Sequence, residues 1–95
     1  MHKVGISFRS LLTADEVSDR YIRPLRTVLK ENAAGIYTNY LRQVDPEGNN
    51  ETEHLIVFEL NDFKAGLRLL RVEIERIGLP SDVQFQNLSP SQPGY

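Results

Sequence analysis

The chain has 95 residues, no cysteine and a formal net charge of −2, from 11 basic and 13 acidic side chains. This length fits one domain, and the absence of cysteine excludes disulfides and thiolate metal sites. Charges of both signs are scattered, whereas nucleic-acid-binding proteins concentrate basic residues on one face, so the composition disfavours a nucleic-acid partner. No run approaches the ~20 apolar residues of a membrane span, and no signal-peptide pattern opens the chain. The sequence therefore predicts a cytoplasmic protein without a membrane partner.

The first two elements are a strand and a helix. Val4, Ile6 and Phe8 alternate with small or polar residues, which predicts a half-buried strand. Thr13 and Glu16 then have the spacing of a capping box, in which each side chain bonds the backbone N–H of the other. Apolar residues recur every three or four positions after this box, which predicts a helix with one buried face.

Pro24 lies inside this predicted helix. It has no amide N–H, and its ring would crowd the carbonyl of Arg20. The sequence therefore predicts a kink at this point, or a break at which Pro24 opens a second helical piece. Gly35 is predicted to lie at the C-terminal end of the helix.

A second strand is predicted over residues 36–44, which are rich in Tyr, Thr, Ile and Val. Two alternating sets of side chains suit the core equally well, Ile36 with Tyr40 and Tyr37 with Leu41. The pattern therefore leaves open which side of this strand points inward.

The remaining elements follow a turn cluster at residues 45–50. Residues 54–60 are the most apolar run and predict a central strand. Asn61 or Asp62 is predicted to cap a second helix, and Gly78 to end it. The apolar face of that helix comprises Phe63, Leu67, Leu70, Ile74 and Ile77.

A short last strand is indicated by Val83 and Phe85, which alternate with polar residues. Residues 89–95 are rich in Pro, Ser and Gly and predict a flexible C-terminal tail. We therefore expect a single α+β domain over residues 1–88.

The order strand, helix, strand, strand, helix, strand predicts an α+β fold. We expect a two-layer βαββαβ sandwich of the ferredoxin-like type, with a four-stranded antiparallel sheet and two helices on one face. The first and third strands would be central. Their antiparallel pairing would bring Lys3 near Glu59, and Arg9 near Leu55 and Glu53.

One face of such a sheet is left open, and we expect the function to lie there. Leu55 and Val57 lie in mid-sheet with little to shield them, which favours a seam with a second copy or with a protein partner. A solvated face and a small-ligand site are the alternatives. Leu69 and Val72 on the outer side of the second helix could form a further contact surface. The candidate binding residues of the open face are Ser7, Arg9, Leu55, Val57, Glu59 and Gln84.

No catalytic constellation is visible in the sequence, which has no phosphate-binding loop and no nucleophile motif. His2 and His54 lie at strand ends without convergent partners in the sequence. RNA-binding domains of this fold place outward aromatic residues on the first and third strands, whereas Phe8 and Phe58 are predicted to point inward. The sequence thus favours a non-enzymatic interaction module that self-associates, with no cofactor and no metal ion.

The alternative hypothesis is a small hydrolase. The pentapeptide from Gly5 to Arg9, together with Asn39, resembles part of the acylphosphatase signature, in which an arginine follows a glycine-rich phosphate loop and an asparagine lies on the second strand. The glycine-rich loop is missing here, because Gly5 stands alone inside a strand. The resemblance implies hydrolysis of an acyl phosphate by Arg9 and Asn39, with Tyr37 or Tyr40 beside them.

Overall fold

The computed structural model, which describes residues 2–44, 47, 51–78 and 83–88, is an α+β structure whose helices lie on one face of a four-stranded antiparallel sheet. The elements in chain order are β1 (His2–Ser10), α1 (Ala14–Val17), a π-helical turn (Ser18–Ile22), α2 (Arg23–Glu31), β2 (Gly35–Gln43), β3 (Thr52–Leu60), α3 (Phe63–Ile77) and β4 (Gln84–Asn87). The strands lie in the order β2-β3-β1-β4, so β1 and β3 are central. The predicted tail at residues 89–95 lies outside the described residues.

The predicted register between β1 and β3 is confirmed. Lys3 lies opposite Glu59, and Arg9 lies opposite Glu53. This register sends the even-numbered residues of both strands toward the helices, where they form one core with the apolar faces of the helices. The buried core residues are Val4, Ile6, Phe8, Val17, Tyr21, Ile22, Leu25, Leu29, Ile56, Phe58, Leu60, Leu70 and Ile74.

Both helical segments begin at predicted caps. The Thr13 N–H donates to Glu16 Oε1 over 3.0 Å, and the Glu16 N–H donates to Thr13 Oγ1 over 3.2 Å, which completes the capping box. Asp62 caps α3 by accepting from the Ala65 N–H, and α3 ends at Gly78, whose φ of 113° favours glycine.

A π-helical turn precedes Pro24 and explains how the chain accommodates a proline inside a helical segment. The Arg23 N–H donates to the Ser18 carbonyl five residues earlier, instead of four. Pro24 then falls in the first turn of α2, where an N–H is not needed. Pro24 therefore does lie in the first turn of a second helical piece, but the predicted break is absent. Residues on both sides of the junction keep right-handed helical angles, so no loop separates the two pieces.

The prediction that Gly35 ends the first helix is wrong. The helix ends at Glu31, and Ala33 reverses the chain with a φ of 49°. Gly35 instead opens β2, where a Cβ atom would collide with the carbonyl oxygen of Glu59. The glycine is therefore needed for the close approach of β2 to β3, and not for a helix cap.

A β-bulge at Thr38 interrupts the pairing of β2 with β3. Tyr37 pairs with Phe58 and Asn39 pairs with Val57, which leaves Thr38 as the extra residue. The Thr38 hydroxyl donates to the Val57 carbonyl over 3.1 Å. The bulge shifts the side-chain alternation of the strand by one residue at this point.

The bulge settles which side of β2 points inward. Tyr37 and Tyr40 both face the helices and pack against the core, although a regular strand would put them on opposite faces. Ile36 and Leu41 both face away, with exposed fractions of 53% and 50%. Each of the two sets predicted from sequence, Ile36 with Tyr40 and Tyr37 with Leu41, thus has one inward and one outward residue.

α3 packs closely on the sheet through Gly66. A Cβ atom at this position would lie 2.8 Å from both Cδ atoms of Leu60, which is fully buried.

α3 has 15 residues, and none of the helices in the described ranges is long and apolar enough to cross a membrane.

Candidate functional site: the open face of the sheet

The open face is the side of the sheet opposite the helices. The strand register places every sequence-predicted binding residue on this face. It also adds side chains from β2 and from the end of β4. The residues of the open face are Lys3, Gly5, Ser7, Arg9, Ile36, Asn39, Leu41, Gln43, Glu53, Leu55, Val57, Glu59, Gln84, Gln86 and Leu88.

An apolar patch, the open-face patch, runs across this surface and consists of Ile36, Leu41, Leu55, Val57 and Leu88. Ile36 and Leu41 are its most exposed members, whereas Leu55 is half-buried. Val57 is only 6% exposed, so the expectation that little shields it is wrong. Val57 occupies a central strand, between Gly5 of β1 and Asn39 of β2.

Gly5 lets the open-face patch continue across β1. A Cβ atom there would lie 2.8 Å from the Cδ1 atoms of both Leu55 and Leu88. These two leucines cover the glycine from opposite sides: Leu55 lies on β3, and Leu88 directly follows β4. The patch therefore extends across the whole width of the sheet.

One end of the open face is polar. Ser7, Arg9, Glu53 and Gln84 line a depression of about 270 Å³. The Arg9 Nε lies 3.7 Å from Glu53 Oε2, and both side chains are at least half exposed. Gln86 Nε2 donates to Ser7 Oγ over 3.0 Å. Because Glu53 offsets the charge of Arg9, the described residues that line this depression include no uncompensated cation for an anionic ligand.

The residues of the hydrolase hypothesis do not converge. Arg9 lies level with Glu53 of β3, whereas Asn39 lies level with Val57, four positions away or about 13 Å along the strands. Both tyrosines of β2 face the helices, on the other side of the sheet from Arg9. The structure thus separates the groups that the acylphosphatase resemblance would use together.

His54 has polar partners that its sequence context does not show. It is fully buried on the helix side of β3. Nε2 lies 2.9 Å from Ser10 Oγ, and Nδ1 lies 2.6 Å from the Tyr40 hydroxyl oxygen, so both ring nitrogens are hydrogen-bonded. The ring also stacks on Phe8, with 5.0 Å between the ring centroids. The even-numbered position, shared with Ile56, was the signal that could have placed it in the core.

The surroundings of His54 favour a neutral imidazole. Burial lowers the pKa of His54, a backbone hydrogen bond with Ser10 opposes this shift, and the charge of Arg42 adds to the lowering. Burial also raises the pKa of Tyr40. The ring has no exposed surface through which a ligand could reach it, so we interpret His54 as part of the core.

The outer side of α3 carries less apolar surface than predicted. Val72 is 59% exposed, but Leu69 is half-buried and packs against the core. A buried carboxylate, Glu73, accepts from Arg76 Nε over 3.1 Å on the same helix, and this hydrogen bond raises the pKa of Arg76. The predicted second contact surface is thus reduced to one exposed aliphatic side chain.

Within the described ranges, no three His, Asp or Glu side chains lie close enough together to hold a metal ion. No protein-family model matches the chain, and neither the curated proteins nor the solved structures give a match.

Proposed function

We propose that the protein is a non-enzymatic interaction module that self-associates by packing the open faces of two copies against each other. The open-face patch carries this proposal. It crosses the sheet without a described helix over it, and its members Ile36 and Leu41 are half exposed. Contiguous apolar patches of this kind are uncommon on monomers and mark contact surfaces.

The size of the open face suits a sheet-to-sheet contact. Four strands about 4.8 Å apart, with about nine residues in each long strand, span roughly 19 × 30 Å. Because β4 has only four residues, the face covers on the order of 500 Å², compared with about 800 Å² per partner in a typical stable interface. Two such sheets pack about 10 Å apart when their side chains interdigitate.

The charges around the patch favour a second copy over a partner of one charge sign. Lys3 lies opposite Glu59 at one end of the face, and Arg9 lies opposite Glu53 at the other. Each end thus carries both signs. In a two-fold contact the same surface is used twice, so each end can meet a complementary charge.

The same proposal includes the fold type. From the β4 edge, the strand order is β4-β1-β3-β2, with a helical segment between β1 and β2 and another between β3 and β4. This order supports a ferredoxin-like βαββαβ sandwich, which has one sheet face free for assembly. The assignment of function rests on the surface itself and not on the fold.

The experiment compares two exposed aliphatic positions, one on each side of the molecule. Leu41→Glu places a charge in the open-face patch, and Val72→Glu does the same on α3 at similar exposure. We expect wild type and Val72→Glu to be dimers at tens of micromolar in size-exclusion chromatography with light scattering. Leu41→Glu should be a monomer, because its carboxylate would be buried unpaired and should raise the dissociation constant by about tenfold or more.

Two outcomes would contradict the proposal. A wild type that stays monomeric at several hundred micromolar would remove self-association. A Val72→Glu variant that dissociates while Leu41→Glu remains dimeric would move the seam to the helix side.

A further inference from the structure

A second exposed surface, the β2-edge groove, lies where α2 meets the outer edge of the sheet. It is a hollow of about 540 Å³, and β2 contributes the four residues before and at the bulge. α2 contributes two cations, Arg26 and Lys30. The residues of the groove are Arg26, Lys30, Gly35, Ile36, Tyr37 and Thr38.

The two cations of the groove have no acidic partners in the part of the chain that the structure describes. Arg23, one turn earlier, pairs with Asp19 at 3.1 Å, as the acid-before-base spacing predicts. Position 22, four residues before Arg26, is Ile22, and position 26, four before Lys30, is itself Arg26. α2 carries three cations and one carboxylate, Glu31, so the helix has a net charge of +2 in a chain whose net charge is −2.

The strand beside these cations is an edge strand. β2 pairs with β3 on one side, and no described strand lies on its other side. An edge strand presents unpaired N–H and C=O groups, to which an extended chain can add. The bulge limits this stretch, because after Thr38 the Asn39 side chain accepts from the Tyr40 N–H over 2.8 Å. The part of β2 that lines the groove, before Asn39, is thus a regular stretch of this free edge.

Helix and strand spacing match across the groove. Arg26 and Lys30 are four residues apart, a rise of about 6 Å along a helix. Residues at alternate positions of a strand are about 6.7 Å apart and point to the same side. A strand added to β2 could therefore direct two alternate side chains at the two cations together. The side chains between them would point to the open face, beside the exposed Ile36.

We propose that the β2-edge groove binds an extended segment of another protein, which joins the sheet as a fifth strand. Its acidic side chains, at alternate positions, face Arg26 and Lys30, and its apolar side chains face Ile36. Backbone pairing supplies affinity in this mode of recognition, and the alternate side chains supply specificity. A second copy is a poor occupant, because two-fold pairing of β2 with β2 would bring like charges of the two α2 helices together.

The test uses a fluorescein-labelled peptide in which glutamate and valine alternate over eight residues, titrated with the full chain and followed by fluorescence anisotropy at low salt. We expect saturable binding that weakens as salt rises. Replacing the glutamates by lysine, or methylating alternate backbone amides, should abolish binding. The double variant Arg26→Ala/Lys30→Ala should weaken binding about tenfold, since two ion pairs are lost. Arg20→Ala, which removes a cation outside the groove, should leave binding unchanged.

Three results would overturn the proposal. The first is no anisotropy change at millimolar protein. The second is tighter binding by the double variant, which would show that the cations guard the edge against strand addition. The third is loss of binding in Leu41→Glu, which would place the peptide on the open face. Retained binding in that variant would separate this groove from the proposed self-association.

Discussion

The two faces of β3 differ in what covers them, although both carry aliphatic side chains. Ile56, Phe58 and Leu60 on the helix side are fully buried. On the open side, Leu55 and Glu59 are half-buried, and only neighbouring strands shield Val57. The comparison shows that hydrophobicity of the strand does not by itself fix burial. The helices bury one side, whereas burial on the other depends on position within the sheet, because that side has no second layer among the described residues.

Polar groups differ between the two faces in the same way. On the helix side, His54 is buried with both nitrogens hydrogen-bonded, as the cost of an unpaired buried polar group requires. On the open side, the ion pair between Arg9 and Glu53 spans 3.7 Å and is exposed to water. Pairs of that kind contribute at most about 1 kcal/mol. Polar contacts are therefore buried and hydrogen-bonded on the helix side, whereas on the open side they are exposed and weak.

The largest expected effect comes from the same truncation on each face. Leu60→Ala should lower the free energy of unfolding by about 2–5 kcal/mol, because it leaves a cavity beneath α3. Leu41→Ala should change it by less than about 0.5 kcal/mol, since half of that side chain is already exposed. Urea unfolding followed by circular dichroism measures both.

This comparison is made at low micromolar concentration or below, where a dimer would dissociate. An equal loss of stability in both variants would contradict the difference between the faces. A loss in Leu41→Ala that grows with protein concentration would instead support the sheet-to-sheet seam.

The next effect is the dependence of stability on pH. The pKa of His54 in the folded state lies below its unfolded value of about 6.5, so the unfolded chain binds the proton more readily. The contribution of the neutral ring is fully present above that value and is lost as the pH falls through the folded pKa. The slope should reach at most about 1.4 kcal/mol per pH unit, the limit for one proton. Unfolding free energies between pH 4 and 8 measure it.

Two variants test whether His54 causes this pH dependence of the unfolding free energy. His54→Phe should flatten it, while His2→Gln, at an exposed histidine, should keep the wild-type slope. An unchanged slope in His54→Phe would show that another group titrates. The capping carboxylate titrates in a lower window, because its backbone hydrogen bond with Thr13 holds the pKa of Glu16 below its ordinary value.

The smallest expected loss of stability comes from replacing either of two glycines, one on each side of the sheet, by alanine. In Gly66→Ala the new methyl group meets buried Leu60 at 2.8 Å, which should outweigh the better helix propensity of alanine and cost about 1 kcal/mol net. In Gly5→Ala it meets the tips of Leu55 and Leu88, which can move into solvent, so the change should be smaller. Thermal melts compare the two, and a larger loss in Gly5→Ala would mean that the open face is rigidly packed.

Local rules account for what could be predicted from the sequence. The caps at Thr13 and Asp62, the helix end at Gly78 and the second helical piece at Pro24 each depend on residues within one turn. The element order follows from hydrophobic periods of two and of three to four residues. Regular alternation also correctly indicated the pairing of β1 with β3.

The sequence by itself therefore determined the elements, their order and one of the two faces of the sheet. The tertiary structure alone decided the rest. The bulge at Thr38 moves Ile36 and Leu41 to the open face, and a constant period cannot reveal an inserted residue. The partners of His54 come from positions 14 and 44 residues away, and the cations of the groove meet β2 only when the chain folds back. Contacts between segments distant in sequence leave no local pattern, and both candidate binding surfaces are made of such contacts.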